Sequence, residues 1–326
     1  MNKTIFNFFL TVILLITSYV FAEENSTYVA FENAPYNKPE PVGIITNPSI
    51  KEASGLASSI RHNNILWVLN DGGNSPLLFA LSIQGDTIGT FKIKDVKNID
   101  WEDMASFSLN ATAYLMIGDV GDNKAKRKYC SLYIVKEPDI PKNISNKTEP
   151  INIEWQIKFK YIDGPRDCEA IAVDSNQKSI LLLSKRTKPP MLYELPLINH
   201  SKKDILIAQK IANIAHIPEP TKEDLKHRYG KYSSSPTAMD ISLDGQIMVI
   251  LTYKDAYYYE KKAKKEWNEV VIKKPLQIIL PLPNTGMLIM REALCIDSRT
   301  KEIFITSEYN PAPIFIVRPL LPINKK

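Results

Sequence analysis

The sequence predicts an all-β protein, a single β-propeller of about five four-stranded blades, and three observations support this prediction. First, one phrase occurs five times, as EASGLA, WEDMAS, CEAIAV, PTAMDI and REALCI. Second, the copies are 48, 67, 68 and 55 residues apart when they are aligned on Leu56, Met104, Ile171, Met239 and Leu294. Third, each copy is followed by further short β-rich runs, and four strands at such a period are typical of a propeller blade.

The predicted strands follow the same order in every repeat. A second strand ends in polar residues, as ILWVLND does at Asp71 and YLMIGD at Asp119, a third strand follows in all five copies, and a fourth follows in four. An unassigned strand, PVGIITN from Pro41, precedes the first copy. Placed in the last blade, this N-terminal strand closes the ring and covers an open sheet edge. The two longer intervals leave room for a sixth, degenerate blade.

The N-terminal residues predict export. Lys3 is followed by an apolar stretch from Ile5 to Phe21, and the small-residue pattern ending at Ala22 resembles a signal-peptidase site. We therefore expect residues 1–22 to be a signal peptide and residues 23–326 to form one secreted or periplasmic propeller domain. The alternative is an uncleaved membrane anchor. The apolar stretch is short for that role, because a membrane-spanning helix needs about 20 apolar residues. No later segment of the sequence is apolar enough to span a membrane.

Composition argues against several other classes of protein. Removal of the leader lowers the net charge from +5 to +4, and basic and acidic residues alternate along the chain. This pattern does not form the basic face that nucleic-acid binding needs. The three cysteines and four histidines are scattered, so we expect no disulfide framework. The motifs of serine hydrolases, zinc enzymes and P-loop proteins do not occur. We expect a monomer.

Carboxylates recur where blade topology brings side chains to one mouth of the central channel. The innermost strand of each blade begins there and the second strand ends there. Crowded carboxylates repel one another unless a cation compensates, and Ca²⁺ takes about six to eight oxygen ligands. We therefore predict a Ca²⁺ site, with ligands drawn from Glu52, Asn70, Asp71, Glu102, Asp119, Glu169, Glu292 and Glu308. The alternative is that neighbouring basic residues pair with these carboxylates.

Further roles follow from the same arrangement. The predicted catalytic residues are Glu102 and Glu169, and the predicted binders of a substrate anion are Arg166, Lys185 and Arg291. We expect Glu52, Glu102, Glu169 and Glu292 to occupy the same position, or register, in their repeats. The segment 215–235 joins the third blade to the fourth and should cover the same mouth. Such long loops are often lids or binding loops, and a plain exposed insertion is the alternative.

Several phrases, in order, resemble a group of exported bacterial propellers. EASGLA with NILWVLNDGGN, WEDMA with IGDVGDN, and RDCEAIAVD are similar to the SdiA-regulated propeller family and to proteins labelled as having esterase-like activity of phytase. The likeness covers most of the mature chain and implies a secreted or periplasmic propeller with Ca²⁺ as a ligand. Gluconolactonase-like propellers are more distant. They hold Ca²⁺ at the channel mouth with Glu, Asn and Asp, which implies analogous roles for Glu52, Asn70 and Asp119.

Two functions remain open at this point. The first is a Ca²⁺-dependent hydrolase of a small anionic ester, lactone or phosphoester, in which the cation polarises the scissile oxygen and a carboxylate acts as base. The second is a non-catalytic secreted or periplasmic binding module for a glycan, a peptide or a protein. Propellers host both kinds of function, so the fold does not choose between them.

Overall fold

The computed structural model describes residues 32–141, 147–197, 204–281 and 290–320, so the predicted signal peptide lies outside the described residues. In these ranges nearly all regular structure is β-strand, and the one α-helix, Trp267–Val271, has five residues. No helix in the described part of the chain is both long and apolar enough to cross a membrane. The three cysteines are free and buried.

The strands lie close to the segments that the sequence predicted. In chain order they are β1 (Glu40–Ile45), β2 (Ala53–Ser58), β3 (Ile65–Asn70), β4 (Leu77–Ser82), β5 (Thr87–Ile93), β6 (Trp101–Leu109), β7 (Thr112–Asp119), β8 (Cys130–Lys136), β9 (Thr148–Ile151), β10 (Trp155–Tyr161), β11 (Cys168–Asp174), β12 (Ser179–Ser184), β13 (Met191–Pro196), β14 (Ile205–Asn213), β15 (Pro236–Ile241), β16 (Ile247–Thr252), β17 (Ala256–Glu260), β18 (Leu276–Ile278), β19 (Arg291–Ile296), β20 (Ile303–Ser307) and β21 (Ala312–Val317).

Within the described ranges these strands form five four-stranded antiparallel units. Unit 1 contains β2–β5, unit 2 contains β6–β8 and β10, unit 3 contains β11–β14, unit 4 contains β15–β18, and unit 5 contains β19–β21 with β1. The innermost strands contact one another in the cyclic order β2, β6, β11, β15, β19 and back to β2. The protein is therefore a β-propeller, with the innermost strands around its central channel.

Apolar side chains fill the spaces between neighbouring units. Trp67 of unit 1 and Trp101 and Leu115 of unit 2 belong to one buried cluster. Similar clusters join unit 2 to unit 3, unit 4 to unit 5, and unit 5 to unit 1. Alternate residues on these strands thus pack against the two neighbouring units.

The N-terminal strand closes the ring, as the sequence predicted. Strand β1 pairs antiparallel with β21, so that Glu40 lies opposite Ile316 and Ile45 opposite Ala312. Ile45 is 1% exposed and belongs to the apolar cluster between units 5 and 1. The last unit therefore combines three strands from the C-terminal region with one from the N-terminal region.

Each innermost strand has an irregularity of its pairing register near its beginning. Such bulges redirect a side chain and are frequent beside active sites. The residues at the irregularities are Ser54, Glu102, Glu169, Thr237 and Glu292. The expectation that Glu52 shares this register is therefore wrong, because Ser54 occupies the position in the first unit.

Glu52 belongs to a different position of the repeat, four residues before the large apolar residue rather than two. Its backbone carbonyl accepts a hydrogen bond from Asp71 N (2.8 Å). In units 2 and 3 the equivalent hydrogen bonds run from Val120 N to the Asp100 carbonyl and from Lys185 N to the Asp167 carbonyl (both 3.1 Å). Asp100 and Asp167 are thus the structural counterparts of Glu52.

Candidate active site

Two positions of each unit meet at one mouth of the channel. One is the bulge residue of the innermost strand, and the other is the residue that directly follows the second strand. We call this set, together with Asp100, the acidic mouth. Its members are Ser54, Asp71, Asp100, Glu102, Val120, Glu169, Lys185, Thr237, Tyr253, Glu292 and Glu308.

A carboxylate trio occupies one side of the acidic mouth. The carboxylate oxygens of Asp71, Asp100 and Glu102 lie within 4.8 Å of one another. Two glycines make this approach feasible. A Cβ atom on Gly121 would collide with the carboxylates of Glu102 and Asp100, and one on Gly72 would collide with Asp100. The backbone therefore forms a cradle around three oxygen donors of the kind that hard cations prefer.

Burial and mutual repulsion keep protons on these acids. Burial raises the pKa of Asp71 to about 7, and repulsion by Glu292 and Glu169 adds to the rise. Burial, with repulsion by Glu292, raises the pKa of Glu308 to about 7 as well. The pKa of Asp100 is raised chiefly by burial, against the attraction of the Arg127 guanidinium. In the absence of a cation, the acidic mouth therefore takes up protons near neutral pH.

Glu102 and Glu169 are neighbouring carboxyl groups that act on each other's ionisation, and each side chain is almost fully buried. Burial raises the pKa of both groups, and that of Glu102 rises well above its ordinary value because Glu169 and Asp71 repel its ionised form. The Lys185 ammonium lies 2.8 Å from Glu169 Oε2 and favours the ionised form of that residue. Of the two groups, Glu102 therefore holds a proton more readily, and Glu169 ionises more readily.

The network continues from Lys185 to the opposite side of the mouth. Lys185 Nζ lies 5.2 Å from the centre of the Tyr253 ring. The Tyr253 hydroxyl donates a 2.6 Å hydrogen bond to Glu292 Oε1. Sequence reasoning missed Tyr253, although it follows the second strand of its repeat just as Asp71, Lys185 and Glu308 do.

Three of the predicted metal ligands are engaged elsewhere. The Asn70 side-chain oxygen accepts hydrogen bonds from the backbone N–H groups of Lys51 (3.0 Å) and Glu52 (3.3 Å), so it braces the chain before β2. Asp119 is fully buried and pairs with Arg127 at 2.8 Å. Glu52 is exposed and accepts a hydrogen bond from the Asn74 amide at 2.8 Å.

Two of the three predicted anion binders also point away from the acidic mouth. Arg166 forms an ion pair with Asp163 at 2.7 Å. Arg291 is 1% exposed and donates to the backbone carbonyls of Tyr253 (3.1 Å), Lys254 (3.0 Å) and Pro281. Burial lowers the pKa of Arg291 to about 10. Both arginines begin beside the bulge, but the length of the side chain carries the guanidinium to other partners.

The segment 215–235 lies at the end of the channel that carries the acidic mouth. Asp224 pairs with Lys254 at 2.8 Å, and Lys254 N donates to Ser233 O at 3.1 Å, so the segment is fixed beside Tyr253. Tyr309, next to Glu308, is 52% exposed, and Tyr229 of the segment is 37% exposed. The segment is thus anchored next to a residue of the acidic mouth, and its role as a cover stays a prediction.

Comparison with known proteins finds no matching family and no matching curated protein. Similar solved structures include Raptor from Chaetomium thermophilum, at 11% identity and a TM-score of 0.38, over 86% of this chain and 20% of that one. Glutaminyl cyclase from Myxococcus xanthus matches at 10% identity and a TM-score of 0.48, over 86% of this chain and 95% of the other. The soluble aldose sugar dehydrogenase of Escherichia coli matches at 11% identity and a TM-score of 0.47, over 87% and 99%.

The chain thus spans a fifth of the length of Raptor. Similarity at this level supports no argument about activity, so the function must be argued from the acidic mouth itself.

Proposed function

We propose that the acidic mouth is the active site of a Ca²⁺-dependent hydrolase that acts on a small anionic ester, lactone or phosphoester. The observation that supports this most strongly is the carboxylate trio, whose member Glu102 is also the buried neighbour of Glu169. One site thereby contains acids whose environments separate their pKa values, next to oxygen donors suited to a hard cation. Separated pKa values of neighbouring acids are a mark of acid–base catalysis.

The residues that would hold Ca²⁺ are Asp71, Asp100 and Glu102, whose oxygens and glycine cradle fit such an ion. When bound, Ca²⁺ would polarise the oxygen of the scissile bond. Because metal ligands must lose their protons, binding would release protons from Asp71 and Glu102. The position of the trio beside Glu169 would place the substrate's reacting oxygen near a base.

Glu169 is the proposed general base. The ammonium of Lys185 favours its ionised form, in which it would take a proton from the attacking water and later return the proton to the leaving oxygen. The Lys185 ammonium has three donors and uses one of them on Glu169, so the others bind the anionic oxygen of the substrate. Tyr253 and Glu292 hold Lys185 from the other side. Arg166 and Arg291 have no part in this scheme.

The proposal includes the cell compartment and the family. Export after removal of residues 1–22, a secreted or periplasmic monomer and membership of the SdiA-regulated propeller family are all supported by the sequence patterns described above. A second candidate function, binding of a glycan, peptide or protein without turnover, is favoured by the exposed rings of Tyr229 and Tyr309 at the rim of the mouth. Exposed aromatic rings are frequent in recognition surfaces.

The test is a screen of purified protein against nitrophenyl esters, lactones and phosphoesters, with Ca²⁺ or with chelator. We expect Ca²⁺-dependent turnover that falls by about a hundredfold or more in the Glu169→Gln variant, the usual range for loss of a general base. Glu260→Gln makes the same chemical change at an exposed position on β17 and should keep the wild-type rate.

Bound Ca²⁺ without turnover on any substrate class would favour the binding module. Turnover that survives both chelator and Glu169→Gln would place the active site elsewhere.

A further inference from the structure

A cavity of about 200 Å³ is formed by the loop after β7, the end of β10 and the segment that precedes β11, and most of its charged lining residues are cationic. A single carboxylate, Asp122, contributes to its lining. The cationic side chains that line it are Lys126, Arg127, Lys128, Lys160 and Arg166. We call this cavity the basic pocket.

The single carboxylate of Asp122 offsets at most one of the five cations, and it also holds the loop that presents them. It accepts hydrogen bonds from the backbone N–H groups of Lys126 (2.9 Å) and Arg127 (2.8 Å) and is 6% exposed. Its own N–H donates to Asp167 at 2.9 Å. The loop after β7 is therefore fixed in one conformation, with its lysine side chains around the cavity.

Two of the five cations have partners, and three do not. Arg127 pairs with Asp119, and Arg166 pairs with Asp163. Lys126, Lys128 and Lys160 are exposed and make no ion pair with any residue that the structure describes. Like charges gathered around one cavity repel one another, and a bound anion removes that repulsion.

We propose that the basic pocket binds a phosphoryl or sulfuryl group. Lysine ammonium groups bind phosphate oxygens as point charges, and the three unpaired lysines offer several such donors. A volume of about 200 Å³ is large enough for a tetrahedral oxyanion, and the open side of the cavity leaves room for the rest of a larger molecule. This inference goes beyond the proposed function and does not depend on Ca²⁺ or on hydrolysis.

The basic pocket lies one side chain away from the acidic mouth. Arg127 lines the pocket and donates to the backbone carbonyl of Gly121 at 2.8 Å, and Gly121 lies against Glu102. A substrate that reacts at the acidic mouth would therefore carry its phosphoryl or sulfuryl group close to its reacting bond. This second step rests on the proposed function, whereas the anion site itself does not.

The experiment is calorimetric titration of metal-free protein with inorganic phosphate at low ionic strength. We expect wild-type protein to bind phosphate at millimolar concentration or below, and Lys126→Ala/Lys160→Ala to bind at least about tenfold more weakly, as the loss of charge-assisted hydrogen bonds implies. Sulfate should compete with phosphate, because both are tetrahedral oxyanions. Lys128→Ala alone is a milder second variant, and melting curves of every variant check that it folds.

The control Lys262→Ala/Lys264→Ala removes the same charge from exposed positions beyond β17 and should leave the affinity unchanged. An equal loss of affinity in this control, or no binding by the wild-type protein, would overturn the proposal. Glu102→Gln should not alter phosphate affinity. The anion site is thereby tested separately from the hydrolase, and either can fail alone.

Discussion

Deletion of residues 23–48 should abolish cooperative unfolding of the entire domain, because it removes strand β1. Strand β21 then loses its outer partner, and Ile45 leaves the apolar cluster between units 5 and 1. Burial of one isoleucine is worth about 1.5–3 kcal/mol, and the ladder hydrogen bonds of five paired residues are lost as well. These losses are large compared with the free energy of unfolding of a typical domain, which is about 5–15 kcal/mol. Circular dichroism on heating measures the effect.

A shorter deletion, of residues 23–31, removes no residue that the structure describes and is the matched control. It should retain a single sharp transition near the wild-type temperature. If the longer deletion also melts at the wild-type temperature, closure by β1 does not hold the ring together.

Metal-free protein should be more stable at pH 5 than at pH 8, the reverse of the usual behaviour of a protein with ion-paired carboxylates. Burial raises the pKa of Asp71, Glu308 and Asp240 to about 7, from ordinary values of 3.8 for aspartate and 4.5 for glutamate. Between the ordinary and the raised pKa values, these three groups bind more protons in the folded chain than in the unfolded chain. Their contribution to the free energy of unfolding therefore falls as pH rises from about 4 to about 7, and it is level above that range.

Calcium should reverse this loss at pH 8. A hundredfold excess over the dissociation constant adds about 2.7 kcal/mol to the free energy of unfolding. For a domain of this size that corresponds to a rise in melting temperature of about 5 °C. At pH 5 the effect should be small, because protons compete for the same oxygens. Replacement of Glu102 and Glu169 by Gln should remove the response to Ca²⁺ while the fold is kept.

Scanning calorimetry at both pH values, with Ca²⁺ and with chelator, provides the measurement. Stability that increases steadily with pH and ignores chelator would mean that ion pairs such as Lys185–Glu169 hold the mouth together. The hydrolase would then lack its electrophile, and the binding module would become the better account.

The repeat and its closure could be predicted because they depend on local patterns. Each innermost strand repeats the same short phrase, and the spare strand from Pro41 complements the missing one after Val317. Pairings between units could not be predicted in this way. Strand β9 pairs with β5 and β14 pairs with β10, both in parallel, and neither contact leaves a periodic signal in the sequence.

The candidate site was predictable where the bulge fixes the side chain, as at Glu102, Glu169 and Glu292. The position of Glu52 was not predictable. The first copy of the phrase contains a glutamate as three other copies do, but this glutamate lies two residues earlier in the repeat. The contacts of Arg291 could not be predicted either. Its sequence position beside the mouth is clear, but its side chain is long enough for the guanidinium to reach several different partners. Asp100 was missed because it lies just before its strand.

Calcium titration of metal-free protein tests the central claim most directly. Calorimetry at pH 7 in two buffers of different ionisation enthalpy gives both the affinity and the number of protons released. We expect one Ca²⁺ per chain and release of about one proton, because ligands with raised pKa values must deprotonate. Glu102→Gln and Gly121→Ala should abolish binding, the second because its Cβ collides with the carboxylates, and Glu260→Gln should not. Absence of binding by the wild-type protein, or binding that survives both variants, would contradict a calcium site at the acidic mouth.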